Sequence, residues 1–331
     1  MSFETQAVER KKLSIQKVLG NSQESLGARV ISRCLKDHGI ELGERAVRYH
    51  LRLMDEKGLT RLVGRRDGRA ITELGQAEVK TAMVTDKVGF AFSRIEMLAF
   101  RTSFDCDKRT GYIPVNVTFF PKQNFKKALK IMKPIFQDGL CVSDLVAVAG
   151  DGETIGELTV PRGNIGLATV CSIVVNGALL KAGVPVDSKF GGILQIRNGK
   201  PLRFVELINY AGSSLDPSEI FIRANMTSVT RAAESGNGEI LANYREIPAI
   251  CRPTAEEVAA KLKDAGLGGL FLMGNVSEPV CEIAVDINRI GVVLIGGLNP
   301  VAAAQEAGID SENHAMSVLV DYQTLVKVTE V

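Results

Sequence analysis

The strongest constraint on the fold of this chain is an internal repeat that occupies most of its length. When the sequence is aligned with itself at an offset of 125 residues, identical residues coincide: Glu157 with Glu282, Val160 with Val285, Ile165-Gly166 with Ile290-Gly291, and Ala182-Gly183 with Ala307-Gly308. The two copies span about 111–197 and 238–322. A repeat of this kind predicts one structural unit that occurs twice and packs against its own copy.

Both copies show the same predicted order of elements. A helical pattern near Phe125–Ile135 precedes an apolar strand at Leu145–Ala149, and a helix near Thr254–Ala265 precedes a strand at Gly269–Met273. A glycine-containing turn, further strands and a short helix ending in Ala-Gly follow in each copy. We therefore predict a duplicated mixed α/β domain, residues 81–331, with a ligand-sized cleft between copies related by a pseudo-twofold axis.

One glycine-rich stretch in the first copy resembles a dinucleotide loop. Gly150 to Gly156 has the spacing G-x-G-x-x-x-G, one residue longer than the Rossmann pattern, and the residues after it alternate like a strand. We predict a hairpin turn there, and another at Gly274-Asn275 in the second copy.

The first 80 residues predict a winged helix-turn-helix. Helical patterns cover about Val8–Leu19, a segment after a possible N-cap at Ser25, and Glu44–Lys57. Two short strands, Leu59–Val63 and Arg69–Thr72, then form a hairpin. The whole chain is therefore predicted as α+β, a winged helix followed by the duplicated domain.

The charge of the chain is concentrated at its amino end. Residues 1–80 hold 16 Lys or Arg against 11 Asp or Glu, whereas the remainder holds 24 against 27. In the third helix, Val47, Leu51 and Met54 form the apolar stripe. The opposite face and the hairpin supply the predicted contacts to duplex DNA: Arg45, Arg48, Tyr49, Arg52, Arg65, Arg66 and Arg69. Such helices read the major groove and such hairpins contact the backbone or the minor groove.

A charged helical face can also be only solvated, and the same module can bind RNA. The basic helix here is followed directly by a basic hairpin, and this combination favours nucleic acid. We assign no role to His50.

Polar residues at strand ends and helix starts in the duplicated domain are candidates for a carboxylate ligand. Backbone N–H groups at a helix start, hydroxyls and cations all favour such a ligand. The candidates are Thr169, Cys171, Ser172, Asn176, Lys181, Lys189, Arg223, Thr227, Ser228 and Asn299. Simple helix capping and surface charge are the alternatives for each of them.

Two sets of motifs resemble the NrpR-type nitrogen regulatory repressors. In the winged helix they are Leu26-Gly27-Ala28-Arg29, Gly43 to Leu51 and Leu53 to Thr60; a related winged helix precedes ribonuclease R. In the duplicated domain they are Thr169 to Ile173, Asn176-Gly177, Leu179 to Gly183, Phe190-Gly191-Gly192, Gly212 to Pro217, Met226 to Val229 and Gly296 to Pro300. The resemblance covers essentially the whole chain, which carries one such effector domain where some members carry two.

The resemblance implies a repressor of nitrogen fixation and ammonium assimilation genes, and we expect it to bind DNA as a homodimer. It implies an inverted-repeat DNA operator, and 2-oxoglutarate as the effector that releases the protein. A regulator of the same build that senses another metabolite or a partner protein is the alternative, and an RNA-processing factor is a further one.

Other function classes lack their signatures. The six cysteines are widely spaced and there are three histidines, so no metal site is expected. We find no P-loop, nucleophile elbow or H-E-x-x-H motif, and expect neither catalysis nor a cofactor. The longest apolar stretch, Ile165–Leu180, is too short and polar for a bilayer, and the amino terminus has no signal core, so we expect a cytoplasmic protein.

Overall fold

The computed structural model describes residues 3–20, 22, 25–37, 40–64, 68–81 and 89–331. The chain divides into two compact units. We call Met1–Asp86 the head and Lys87–Val331 the duplicated unit.

The head is a winged helix, as predicted. Its elements are α1 (Phe3–Gly20), α2 (Ala28–Asp37), α3 (Glu44–Glu56), β1 (Thr60–Gly64), β2 (Gly68–Ile71) and α4 (Glu73–Thr81). The strands β1 and β2 pair antiparallel. Apolar residues at helical spacing, among them Ile31 and Leu35 on α2 and Val47 and Leu51 on α3, are fully buried and form the core of the head.

The start of α2 differs from the prediction. Ser25 does not cap the helix, which begins at Ala28. Instead, Leu26 and Arg69 exchange two backbone hydrogen bonds, of 2.9 and 3.0 Å. A single bridge to β2 thus takes the place of the expected cap, because this pairing satisfies backbone groups just before the helix.

The duplicated unit repeats one order of elements: strand, helix, strand, strand, helix, strand. The first copy comprises β3 (Tyr112–Pro121), α6 (Lys122–Gln137), β4 (Leu145–Ala149), β7 (Asn164–Val170), α7 (Ile173–Lys181) and β8 (Asp187–Arg197). The second comprises β10 (Gly238–Pro248), α10 (Arg252–Asp264), β11 (Leu270–Val276), β12 (Arg289–Ile295), α11 (Asn299–Glu306) and β13 (Glu312–Asp321). The predicted duplication is thereby confirmed.

The remaining elements lie before, within and after the copies. They are α5 (Phe90–Arg101), a small hairpin of β5 (Thr154–Ile155) and β6 (Leu158–Thr159), the connecting elements β9 (Lys200–Asn209), α8 (Pro217–Arg223) and α9 (Val229–Ser235), and β14 (Val326–Lys327). The turn predicted at Gly150–Gly156 is confirmed in part: Gly150 to Glu153 form a turn, Thr154–Ile155 form β5, and the β5–β6 hairpin turns at Gly156-Glu157. The turn predicted at Gly274-Asn275 is wrong, since both residues lie within β11, where a Cβ on Gly274 would come within 2.1 Å of Val280 Cγ2.

Neither copy completes a five-stranded sheet by itself. The two five-stranded antiparallel sheets have the orders β13-β3-β7-β4-β14 and β11-β12-β10-β8-β9. In each sheet the first strand of one copy pairs with the last strand of the other, β3 with β13 and β10 with β8. The copies therefore exchange their final strands, and the core between the sheets belongs to both.

No helix in the described ranges is both long and apolar enough to cross a lipid bilayer.

Candidate functional site

The exposed face of α3 carries the predicted DNA-binding side chains. Val47, His50, Leu51 and Met54 turn into the core of the head and are buried. The residues between them point to solvent: Arg45, Arg48, Tyr49 and Arg52. Tyr49 is 60% exposed, so its ring can reach a partner without rearrangement of the head.

Two of these arginines bind acidic residues of the same helix. Arg48 pairs with Glu44, and Arg52 Nε lies 3.5 Å from Glu56 Oε1. The arginine side chains remain 66% and 80% exposed. Ion pairs this exposed contribute at most about 1 kcal/mol, so a phosphate or a base edge can replace the carboxylates.

Arg69 does not belong to this surface. Its Nε donates to Asp55 Oδ2 at 2.6 Å, and only 22% of its side chain is exposed. Asp55 also accepts a 2.6 Å hydrogen bond from Thr60 Oγ1, so the pair ties β2 to the end of α3. We correct its role from DNA contact to structural support. Arg65 and Arg66 lie outside the described residues.

A narrow cavity lies between the two copies of the duplicated unit. It is lined by Asn116, Cys171, Ser172, Ile173, Tyr210, Asp216, Ser218, Asn243, Arg245, Gly297, Leu298, Ala315 and Met316. The first turns of α7 and α11, which follow directly on β7 and β12, both open onto it. Its volume of about 20 Å³ is room for about one water molecule.

Two asparagines occupy equivalent places in the copies and face each other across this cavity. In the first sheet Asn116 pairs with Thr169, and in the second Asn243 pairs with Leu294. Thr169 and Leu294 are themselves related by the 125-residue repeat. The cavity therefore lies where the first strands of the two copies, β3 and β10, come together.

The positive charge of the cavity comes from one side chain of the second copy, Arg245. Arg245 is 1% exposed, and its guanidinium carbon lies 4.9 Å from the centre of the Tyr210 ring. Its Nη1 donates to the carbonyls of Tyr244 at 3.2 Å and Phe190 at 3.5 Å, while its buried Nε has no hydrogen-bond partner. No carboxylate of the described residues lies within ion-pair distance of it.

Such a side chain is costly unless a counter-charge is present at some stage. A buried cation loses its hydration, and only hydrogen bonds and nearby negative charge offset that loss. Arg245 has two carbonyls and a π-face as partners but no anion. An anionic ligand in the cavity would supply the missing charge.

Neutral polar groups continue the wall of the cavity. Tyr210 Oη donates to Asn243 Oδ1 at 2.5 Å, and Asn243 Nδ2 donates to Ser172 Oγ at 3.1 Å. Burial raises the pKa of the Cys171 thiol to about 12, so this group stays protonated. The wall thus offers donors and hydroxyls but, apart from one side chain, no negative charge.

That one negative side chain is Asp216. It caps α8, accepting hydrogen bonds from the backbone N–H groups of Ser218 and Glu219 at 2.8 and 3.4 Å. Burial, followed by repulsion from Glu219, raises the pKa of its carboxyl to about 6. Asp216 is therefore mostly ionised at neutral pH and gains a proton in mildly acidic solution.

The structure brings together only some of the predicted ligand residues. Cys171 and Ser172 line the cavity. Thr169 lies just behind it, where its Oγ1 accepts a long 3.4 Å hydrogen bond from Asn116 Nδ2.

The two predicted asparagines have structural positions. Asn299 is fully buried, accepts from Leu241 N at 2.8 Å and donates to Leu241 O at 3.0 Å. Asn176 does not open its helix, which begins at Ile173, and its Nδ2 donates to Ser188 Oγ at 3.1 Å. We remove both from the ligand site, since neither lines the cavity.

The predicted cations also lie elsewhere. Lys189 belongs to an ion-pair cluster, with Nζ 2.9 Å from Asp187, 3.3 Å from Asp286 and 3.9 Å from Glu246. Lys181 and Arg223 are exposed at the ends of α7 and α8.

Thr227 and Ser228 lie at the start of α9, outside the cavity. Thr227 Oγ1 donates to Glu306 Oε1 at 2.7 Å, and Glu306 also caps the backbone of Val229 and Thr230. Ser228 Oγ accepts from Glu239 N at 2.8 Å. Because a carboxylate of the protein already fills this helix start, we remove both residues from the ligand site.

Sequence analysis missed the residues that define the cavity: Asn116, Tyr210, Asp216, Asn243 and Arg245. A signal was present in β3 and β10. Val115-Asn116-Val117-Thr118 and Ala242-Asn243-Tyr244-Arg245 each place two polar residues on one face of an otherwise apolar strand. Polar residues on a strand that both copies bury are the expected mark of an internal site.

The fold and this cavity define a class of protein, a winged-helix protein whose second unit is a duplicated α/β fold with an internal cavity. The family model for NrpR regulatory domains NRD1 and 2 matches residues 88–327. The family model for the ribonuclease R winged-helix domain matches residues 13–79. The chain belongs to the NrpR family of nitrogen regulatory repressors.

Proteins named as global nitrogen regulators are similar to this chain over nearly its full length. The global nitrogen regulator NrpRI of Methanosarcina mazei is 39% identical over 97% of this chain and 98% of that protein. The global nitrogen regulator NrpR of Methanocaldococcus jannaschii is 32% identical over 97% of this chain, which spans 55% of that longer protein. A crystal structure of a nitrogen repressor-like protein from Methanococcus jannaschii superimposes with a TM-score of 0.61 at 30% identity, covering 72% of this chain and 98% of the other.

Proposed function

We propose that this protein is a cytoplasmic, ligand-gated transcriptional repressor, and not an enzyme. It binds a double-stranded operator with an inverted repeat, upstream of nitrogen fixation and ammonium assimilation genes. Two heads of a homodimer contact the two half-sites, about one helical turn apart. The observation that carries this proposal is the α3 face, where three guanidinium groups and a phenol point to solvent beside a buried apolar stripe.

We further propose that 2-oxoglutarate binds in the cavity between the copies. One carboxylate would pair with Arg245, and the N–H groups at the starts of α7 and α11, with the hydroxyl of Ser172, would bind the remaining oxygens. The cavity holds about one water molecule, so a five-carbon dicarboxylate must part the copies to enter. Binding and a change in the arrangement of the copies are therefore linked, as gating requires.

The experiment uses an operator selected from a library of random duplexes with the intact protein. Affinity is then measured by gel shift and by fluorescence anisotropy, with and without millimolar 2-oxoglutarate. We expect weaker binding with the effector, by roughly 5- to 150-fold for an ordinary coupling free energy. Unchanged affinity would exclude 2-oxoglutarate as the gate, and a thermal-shift screen of other keto acids and of glutamine would then identify a different metabolite.

A second function has one observation in its favour. The head matches the winged-helix domain of ribonuclease R, so an RNA-processing role is the competing candidate. Competition between duplex DNA and structured RNA of equal length separates the two. Tighter binding of RNA would support the second function over the first.

A further inference from the structure

We propose that one face of α6 in the duplicated unit is a second DNA-binding surface, which contacts the phosphate backbone without reading sequence. This inference rests on the proposed DNA-binding function and extends it beyond the head. The face is formed by exposed lysines of one helix: Lys122, Lys126, Lys127 and Lys130. We call this surface the lysine face.

The composition of α6 is unusual for a surface helix. Its 16 residues contain five lysines, the fifth being Lys133, and no aspartate or glutamate. Surface helices of soluble proteins normally intersperse both signs, because like charges three or four residues apart destabilise the helix. Here Lys122, Lys126 and Lys130 repeat at intervals of four, and Lys127 lies three residues before Lys130. The helix carries this repulsion without internal compensation.

The surrounding structure does not neutralise these charges either. Within the described part of the chain, no carboxylate lies within 4 Å of the four lysines of the face, although fifteen other ion pairs are formed. Lys133 donates to the carbonyl of Val331 at 3.2 Å and is only half-buried. The positive charge is thus concentrated on a unit whose net charge, over residues 81–331, is about −3.

The equivalent helix of the second copy provides an internal comparison. α10 packs in the same place in the repeat but contains Glu256, Glu257 and Asp264 beside three cations. Arg252 lies 3.0 Å from Glu256, and Lys261 lies 3.2 Å from Glu257. The fold therefore does not require an unneutralised basic helix. We infer that the lysines of α6 bind a partner outside the duplicated unit.

A nucleic acid backbone is the partner that fits this surface best. Lysines four apart lie about 6 Å from each other along a helix, since each residue rises about 1.5 Å. A row of mobile ammonium groups at this spacing suits a line of phosphates, to which lysine binds as a point charge. The surface lacks exposed aromatic residues between the lysines, so stacking on single-stranded bases is not favoured. Because the head belongs to the same chain, a duplex bound by the head is presented to this surface at a raised effective concentration.

The test compares two triple variants of the intact protein that remove the same charge. The first is Lys126→Gln, Lys127→Gln, Lys130→Gln. The control is Arg162→Gln, Lys263→Gln, Lys327→Gln, three exposed cations elsewhere in the duplicated unit, one of them on α10. Glutamine and lysine have similar helix propensities, and the control positions are exposed, so both variants should stay close to the melting temperature of the wild type.

Binding to a random-sequence duplex of about three helical turns is measured by anisotropy between about 50 and 200 mM salt. Each phosphate contact contributes about 0.9 to the slope of log affinity against log salt. Loss of three contacts should flatten the slope by up to about 2.7, which is about a 40-fold smaller loss of affinity over this range. The control triple variant should have the same slope of log affinity against log salt as the wild type.

Three results would overturn the inference. A test triple whose slope equals that of the wild type would mean that the lysine face does not meet DNA, and would point to an acidic protein partner. Equal flattening of the salt slope by both triple variants would mean that the loss of net charge, and not a contact of the lysine face, causes the effect. A wild type that binds neither operator nor random duplex would overturn the proposed function together with this inference. A single charge reversal, Lys130→Glu, provides a second variant and should flatten the slope more than Lys130→Gln.

Discussion

At the scale of single residues, Arg48 is the most informative position of the head. It lies in the middle of the exposed face of α3, with Tyr49 beside it, and its own partner Glu44 is one turn away on the surface. Removal of this ion pair should change the stability of the head by less than about 1 kcal/mol. Any large effect of a substitution must therefore come from the nucleic acid side.

We predict that Arg48→Ala lowers operator affinity by roughly 10- to 150-fold while the melting temperature stays within a few degrees. The matched control is Lys36→Ala, which removes an exposed cation from the last turn of α2. The two variants are compared by anisotropy at one salt concentration. Equal affinity of Arg48→Ala and the wild type would remove Arg48 from the reading face.

Arg245 is the corresponding position in the cavity. A guanidinium that is buried without an anion destabilises the empty protein relative to an apolar side chain of similar size. We predict that Arg245→Met leaves the melting temperature equal or higher and abolishes the response to 2-oxoglutarate. Isothermal calorimetry with 2-oxoglutarate measures binding, and Arg197→Met, at an exposed position, is the control. Undiminished binding by Arg245→Met would place the effector elsewhere.

Asp216 should make effector binding depend on pH. Because its pKa is raised to about 6 in the folded protein, above the ordinary value of 3.8, its neutral form is favoured by folding. Stability from this group is fully present below about pH 4 and is lost as pH rises through about 6. The same ionisation places a negative charge beside the dianion, so affinity for 2-oxoglutarate should fall as pH rises from 5.5 to 7.5, by at most roughly a few tens of fold.

Asp216→Asn separates this ionisation from helix capping, since asparagine caps a helix as well as aspartate does. In this variant the affinity for 2-oxoglutarate should become nearly independent of pH. Burial raises the pKa of Cys171 and of Tyr210, so neither of these neighbours titrates in the same range. A wild-type affinity that rises with pH would contradict the assignment.

At the scale of elements, the turn from β12 into α11 fixes the width of the cavity. Gly297 lies so close to β7 that a Cβ would come within 2.2 Å of the carbonyl oxygen of Val170. A side chain there must push the start of α11 away from the first copy. The glycine thus sets how closely the two helix starts approach the same space.

We predict that Gly297→Ala destabilises the protein by about 1–3 kcal/mol, the usual effect of overpacking, and weakens the effector response. Gly212→Ala is the control, because a Cβ at Gly212 meets no atom within 4 Å. Denaturant midpoints of the two variants give the comparison. A midpoint of Gly297→Ala equal to that of the control would show that the turn shifts freely.

The elements themselves could largely be predicted from the sequence, and the partners of their side chains could not. Periodicity identified the α3 face, because Val47, Leu51 and Met54 mark its buried side unambiguously. It could not show that Arg69 pairs with Asp55, because they lie fourteen positions apart in different elements. Asn299 failed for a related reason, since a polar residue near a helix start can bond equally well to a neighbouring strand. The cap predicted at Ser25 failed because the backbone of the next residue, Leu26, pairs with β2.

At the scale of the whole molecule, the duplication was visible and its consequence was not. Repeated residues revealed two copies, yet which strand of one copy lies beside which strand of the other depends on contacts over more than a hundred residues. The cavity is formed by that pairing. For this reason Cys171 and Ser172, at a strand end, were found from sequence, whereas Arg245, in the middle of β10, was missed.

The exchange of β8 and β13 has a mechanical consequence for the chain. One copy alone could not complete its sheet and would need the final strand of a copy in another molecule. The arrangement corresponds to a domain-swapped dimer whose two subunits are fused in tandem. A protease site inserted at the exposed Asn198-Gly199 turn tests this. After cleavage the two fragments should still co-elute in native size exclusion, and separation without denaturant would contradict the prediction. Cleavage of the connection between the copies would leave them associated, because each copy supplies the final strand of the other copy's sheet.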